Sequence, residues 1–174
     1  VGRGKTFVMD MFFDAIPIKA KLRLHFHRFM HMVHEQMAEQ TGQSDPLVKV
    51  ADNIRQQCRL ICFDEFFVTD ITDAMILGEL FKALFERGVI LVATSNIPPE
   101  ELYRNGLQRQ RFLPAIELIQ KHCEVINVDG GKDYRLRMLE KAEIYHHPLD
   151  EAATANLQFS FEQLGSGEVR TNHD

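Results

Sequence analysis

Leu60-Ile-Cys-Phe-Asp64-Glu65 sets four apolar residues directly before two adjacent carboxylates. Arg59 to Phe63 reads as a short buried strand, being apolar and too brief for a helix. Val89-Ile-Leu-Val-Ala93 repeats the signal, and Lys21-Leu-Arg-Leu-His-Phe26 alternates polar and apolar, the period of a strand. Helical patterns lie between them. Lys5 to about Phe13 follows a glycine turn. His27 to about Glu39 puts Met30, Val33 and Met37 on one face. Leu47 to Gln57 is preceded by Ser44 or Asp45 as a cap and by Pro46 near its first turn. Thr69 to Arg87 repeats Ile76, Leu80 and Leu84 and stops at Gly88, with Asp70 and Asp73 capping and charging its first turn. Strands alternating with helices imply βαβ units and a mainly parallel sheet.

Farther along, Pro99 to Tyr103 reads as a helix and a second ends near His122, with Pro114 either starting a new helix or kinking one. Val125-Ile-Asn-Val128 reads as a strand broken by Gly130-Gly131, and Asp150 to Leu164 as a surface helix presenting Leu157, Phe161 and Leu164 before a polar tail. The domain expectation is a core over residues 1–147 followed by a C-terminal helix and tail over 148–174.

An open α/β sheet binds ligands at the carboxyl ends of its strands. A carboxylate placed there suits Mg²⁺, which prefers hard oxygen ligands and keeps much of its water. Asp64 fits that role, and Glu65 fits a general base that activates an attacking water. An acidic turn after a strand is common in isolation. It is less so 59 residues after Lys5, because Gly2-Arg3-Gly4-Lys5-Thr6 is the second half of a phosphate loop. Its backbone N–H groups can cradle phosphate oxygens, and the following helix points its positive end at the same anion. Lys5 would reach the β- and γ-phosphates and Thr6 would hold Mg²⁺. The chain opens inside this loop, so the sequence reads as a fragment.

Two further groups follow in order. Ala93-Thr94-Ser95-Asn96 ends the next strand, where the Asn96 amide can sit between a γ-phosphate and the water held by Glu65; a strand-ending turn is the plain alternative. Asn105-Gly-Leu-Gln-Arg109-Gln-Arg111 offers an arginine that could reach a neighbouring subunit's site, with an ordinary surface arginine as the competing reading.

The bulk numbers set limits. At 174 residues, 45% hydrophobic and 26% charged, the chain has the size and composition of one globular domain with a sizeable core. Its net charge of −5 lacks the basic excess of a general nucleic-acid binder, and Lys19-Ala-Lys21-x-Arg23 is the one dense basic run. Cys58, Cys62 and Cys123 form no C-x-x-C motif, and Cys62 reads as a small core hydrophobe, which suits a reducing compartment. No apolar run reaches the roughly 18 residues of a membrane span, and no signal peptide is present. His25, His27, His31 and His34 are close in sequence, but no complete metal-ligand motif accompanies them. Phe12-Phe13 and Phe63-Phe66-Phe67 read as core or subunit contacts.

Taken together, the phosphate loop, D-E strand, T-S-N strand end and arginine segment resemble AAA+ ATPases. More narrowly the chain resembles the ZapE-type ATPases of bacterial cell division and their mitochondrial relatives. That match rests on Val1-Gly-Arg-Gly-Lys-Thr6, Met9-Asp-Met-Phe-Phe-Asp14, His25-Phe-His-Arg-Phe-Met30, Phe63-Asp-Glu-Phe66, Val92-Ala-Thr-Ser-Asn96, Tyr103-x-Asn-Gly-Leu-Gln-Arg109 and Asp133-Tyr-Arg135. The resemblance implies an ATP/ADP- and Mg²⁺-dependent, ring-forming homo-oligomer. In the bacterial branch it implies association with the division machinery, including its tubulin-like protein; in the mitochondrial branch it implies membrane-protein quality control. It carries over Gly2, Arg3, Gly4, Lys5 and Thr6 as the phosphate-binding residues (Walker A), with Thr6 also on the metal. Asp64 and Glu65 become the metal and water pair (Walker B), Asn96 the γ-phosphate sensor, and Arg109 the arginine supplied in trans, with Arg111 in reserve. The chain departs from the family pattern in lacking the start of the phosphate loop and a C-terminal helical lid with its own arginine.

The expectation is therefore a P-loop three-layer α/β sandwich. It would hydrolyse ATP and act on a protein client in the cytoplasm, without direct nucleic-acid contact; a peripheral membrane contact stays open. One rival is a helicase loader or replication initiator, which would need a basic groove. Another is a non-hydrolysing, nucleotide-gated binding module, against which the intact Asp64-Glu65 pair argues.

Overall fold

The computed structural model describes residues 4–128. The chain divides into a compact unit over residues 1–126 and a second from residue 127 onward. The sheet and all the described helices belong to the first unit. Gly2, Arg3, Gly130-Gly131, Asp133-Tyr134-Arg135 and the 148–174 helix and tail lie outside the described residues.

Three parallel strands form the sheet in the order β1 (Lys21–His25), β2 (Leu60–Asp64), β3 (Ile90–Ala93). Helix α1 (Lys5–Ala15) precedes β1. Helices α2 (Phe26–Glu39) and α3 (Pro46–Gln57) connect β1 to β2. Helix α4 (Ile71–Glu86) connects β2 to β3, and a short 3₁₀ turn (Pro99–Glu101) leads to α5 (Arg109–His122). The expected alternation of elements is present, and helices cover both faces of the sheet.

Every residue of β2 is buried, as its unbroken apolar run requires of a central strand. Its side chains alternate between two cores. Ile61 and Phe63 join a large cluster with α2, α3, α4 and α5, whereas Leu60 and Cys62 pack under Met9 of α1, with Phe13, Ile16, Ile18 and Val92 around them. The large core is rich in aromatic contacts: Phe29 and Phe63 have ring centroids 4.5 Å apart, and Phe26 meets Phe66 edge-on at 4.6 Å. Burying each such ring contributes about 1.5–3 kcal/mol.

Helix ends follow their sequence signals with one correction. The Thr72 N–H donates to Oδ1 of Asp70 at 2.6 Å, capping α4, and Gly88 takes the left-handed conformation (φ 70°) after it. Asp45 does stand at the N-cap of α3, but its backbone is left-handed (φ 54°) and its side chain makes no capping hydrogen bond. The rigid φ of Pro46 starts that helix.

Two other expectations change, and a third narrows. Pro114 does not start a new helix: it lies inside α5, which runs from Arg109 to His122. Strand β3 is less buried than its apolar sequence suggests, with Ile90 exposed, because it is the edge strand of the described sheet. Residues 123–128 form no strand, and Val125 and Ile126 stand exposed to solvent.

Candidate nucleotide and water-activating site

Gly4 sits at the N-cap of α1 in the left-handed region (φ 82°), a conformation that disfavours any side chain although space is open around it. The helix then rises directly from the loop, and the Val8 N–H donates to the Gly4 carbonyl at 2.9 Å. Lys5 is half-buried and Thr6 is exposed at the helix start. Thr6 and Asp10 are four residues apart and so share a helix face, about 6 Å apart along the axis.

The register of β1 on β2 pairs Arg23 with Cys62 and His25 with Asp64. Lys21 and Arg23 therefore point to the α1 side of the sheet, and Leu22 and Leu24 to the large core. Lys21 Nζ donates to the Phe13 and Ile16 carbonyls at the end of α1 and lies 4.6 Å from the Phe13 ring centroid. Arg23 reaches Asp64 with two donors, Nε at 3.1 Å and Nη2 at 2.9 Å, and Nη1 forms an ion pair with Asp10 of α1. Two of the three cations in the basic run are thus committed within the chain and form no open basic groove.

Asp64 is 8% exposed and is the one buried charged residue among those described. Both Arg23 donors fall on Oδ2. Oδ1 is buried and has no hydrogen-bond partner among the described residues. Leaving such an acceptor unsatisfied costs about 1–3 kcal/mol, and buried orphan groups of this kind often belong to functional sites. A carboxylate oxygen with no donor, at the end of a central parallel strand, fits a water-clad Mg²⁺.

Glu65 follows with its side chain exposed and its backbone left-handed (φ 54°), a conformation that costs a non-glycine residue about 1–3 kcal/mol. The end of β3 holds it there. The Glu65 N–H donates to Thr94 Oγ1 at 3.3 Å, the Thr94 N–H to the Phe63 carbonyl at 3.0 Å, and the Phe66 N–H to the Thr94 carbonyl at 2.8 Å. Ser95 Oγ donates to the Phe66 carbonyl at 2.9 Å. In T-S-N, then, Thr94 and Ser95 latch the D-E turn, and Asn96 beside them is exposed. Strand β3 brings Asn96 to the same end of the sheet as Glu65.

The arginine segment has a tight local architecture. The Tyr103 hydroxyl donates to the Leu107 carbonyl at 2.8 Å, and a methyl group on Gly106 would fall 2.1 Å from the Tyr103 ring. Arg109 Nη2 donates to the Glu100 carbonyl at 2.7 Å and the Leu102 carbonyl at 3.4 Å, while its Nε is buried. Arg109 therefore ties its own loop together. Arg111, one turn from Gln108 and bonded to its Oε1 at 3.3 Å, is exposed.

The histidines are dispersed. His25 and His27 stack at 5.9 Å, His31 lies 3.5 Å from Glu35, and His34 lies 2.7 Å from Asp73, joining α2 to α4. Burial pushes the Cys62 thiol up to about 11, with Asp64 adding to the rise and Arg23 and Lys21 opposing it; burial also raises Cys58 and Cys123. A raised thiol pKa disfavours the thiolate, the nucleophilic form. Sequence reasoning missed Asp10 and the true use of Arg23. The signal was available in the alternation of β1, which sends Lys21 and Arg23 to the side opposite Leu22 and Leu24.

The chain is 57% identical over 167 residues to the "Cell division protein ZapE" of Escherichia coli strain K12, covering 96% of this chain and 44% of that protein. It is 42% identical over 176 residues to "Lactation elevated protein 1 homolog B" of Danio rerio, covering 94% of this chain and 35% of that one. It spans less than half the length of these curated relatives. No solved structure matches it. The family described as AFG1-like ATPase matches residues 1–174, the entire sequence, and the chain belongs to that family.

Proposed function

We propose that the protein containing this chain hydrolyses ATP in a Mg²⁺-dependent manner, with Asp64 and Glu65 at the centre of the reaction. The observation that carries the reading is the buried, donor-free Oδ1 of Asp64 beside an exposed Glu65 whose strained backbone is fixed by Thr94. The loop over Gly2, Arg3 and Gly4 would present backbone N–H groups to the phosphates, and Lys5 would neutralise the β- and γ-phosphates. Thr6 and Asp64 would hold Mg²⁺, which when bound neutralises charge on the phosphate oxygens. Glu65 takes a proton from the attacking water as its oxygen bonds the γ-phosphorus. The bond to the bridging oxygen breaks, and ADP leaves with the electron pair. Asn96 orients that water against the γ-phosphate.

The arginine supplied to a neighbouring subunit comes from the 109–111 segment. Arg109 is the motif position; Arg111 is the exposed one. In this reading residues 1–147 form the nucleotide core of a ring-like homo-oligomer whose subunit closure does work on a protein client. The name of the E. coli relative supports a role in cell division. The client class is then a division-ring protein, the tubulin-like one included, at the cytoplasmic side of the membrane. Among the described residues no helix is long and apolar enough to cross a membrane.

The test is binding of a fluorescent ATP analogue and phosphate release by the full-length protein and its Lys5→Ala variant. The expected result is turnover by the parent and about a tenfold or greater loss of affinity in the variant, the scale of a lost charge-assisted hydrogen bond. A parent that neither binds ATP nor releases phosphate contradicts the reading.

A further inference from the structure

We propose that Arg23 is a positioning residue for the metal-facing carboxylate, joining the phosphate-binding helix to the hydrolytic end of β2 through Asp10 and Asp64. The inference rests on the ATPase reading and adds to it a group outside the phosphate loop and the D-E and T-S-N segments. An arginine beside a carboxylate usually engages both oxygens with two parallel hydrogen bonds. Here Nε and Nη2 converge on Oδ2 alone, at 3.1 and 2.9 Å, and the third nitrogen turns to Asp10. The carboxylate is therefore held in one rotation, with Oδ1 buried and without a donor. Asp10 shares a face of α1 with Thr6, so the same guanidinium fixes how that helix sits against the strand that carries Asp64.

Three roles for Arg23 predict different outcomes. A cation next to a metal site should repel the metal, so plain electrostatics makes cation binding tighter when Arg23 is neutralised. A purely structural ion pair predicts loss of stability with no change in metal affinity. A positioning role predicts weaker metal binding, because groups that orient a ligating carboxylate typically account for about 10- to 100-fold in affinity.

The experiment uses full-length protein in excess over a non-hydrolysable ATP analogue, with Mn²⁺ as the probe metal, titrated by electron paramagnetic resonance. Nucleotide affinity in chelator and the metal-free thermal midpoint are measured beside it. Arg23→Gln should raise the Mn²⁺ half-saturation about tenfold or more, and Asp10→Asn by a smaller factor of about three, with metal-free nucleotide affinity held within about twofold. In an Asp64→Asn background, Arg23→Gln should add no further shift. If Arg23→Gln does not fold, Asp10→Asn and Arg23→Lys carry the test; the Asp10 side chain is 42% exposed and tolerates the change. Wild-type metal binding with an unchanged or lowered half-saturation in the folded variants overturns the proposal. A wild type with no metal-dependent nucleotide binding instead overturns the ATPase reading, and the proposal with it.

Discussion

The two faces of the sheet are built differently. One is apolar and deep: Ile61 and Phe63 of β2 lie among four helices, in a cluster with Phe29, Phe66 and Phe81. The other is thin and charged. Among the described residues a single helix, α1, covers Leu60 and Cys62 with Met9; beside that small core Arg23 links Asp10 and Asp64, while Lys21 holds the end of α1 through the Phe13 and Ile16 carbonyls. Phe7, Val8 and Met11 on the outer side of α1 remain exposed. The larger apolar core lies on the first face, and the buried carboxylate proposed for the reaction is paired on the second. One strand serves both, because its side chains alternate.

The largest expected effect sets the two faces against each other directly. Phe63→Ala should destabilise the fold by about 3–5 kcal/mol and Met9→Ala by about 2 kcal/mol, read as shifts in the denaturation midpoint. Equal losses would break the comparison. Next in size is Gly106→Ala, which forces a methyl into the Tyr103 ring. It should cost about 1–3 kcal/mol, the scale of overpacking, and an unchanged midpoint would show that the loop yields to the methyl freely.

The smallest effect belongs to Cys62. Its folded-state thiol is raised from 9.0 to about 11, so above pH 9 the unfolded chain releases a proton that the folded chain retains. Its contribution is complete below pH 9 and is lost as pH rises toward 11. Cys62→Ala should flatten the decline in stability over that window, and an identical decline in both proteins would place its cause elsewhere.

Much of this was legible in the sequence because the signals were strong and local. The run from Leu60 to Phe63 could be little else than a buried strand, and Gly4-Lys5-Thr6 before an apolar stretch gave the helix and its glycine start. Asp64, Glu65 and Asn96 stood out as candidates because each ends a strand or lies in the turn that follows one. What failed depended on distant neighbours. Val125 to Val128 has a strand's composition, but residues 125–128 do not adopt a strand. The Asp45 side chain could not be assigned as a cap or ruled out without its backbone angle. Arg23 read as part of a basic run because its partners, Asp10 and Asp64, are 13 residues before it and 41 after it. Arg109 drew notice as an arginine that could act on a neighbour; its hydrogen bonds to the Glu100 and Leu102 carbonyls add a use inside its own loop that the sequence did not show.

The most direct test of Glu65 as the base is steady-state ATP hydrolysis by the full-length protein and its Glu65→Gln variant, with ATP binding measured in both. The predicted result is a fall in turnover of about 100-fold or more, the usual contribution of a general base, with ATP affinity preserved. Equal turnover in the two proteins would contradict the role given to Glu65, and a parent that binds ATP but releases no phosphate would make this a nucleotide-gated binding protein.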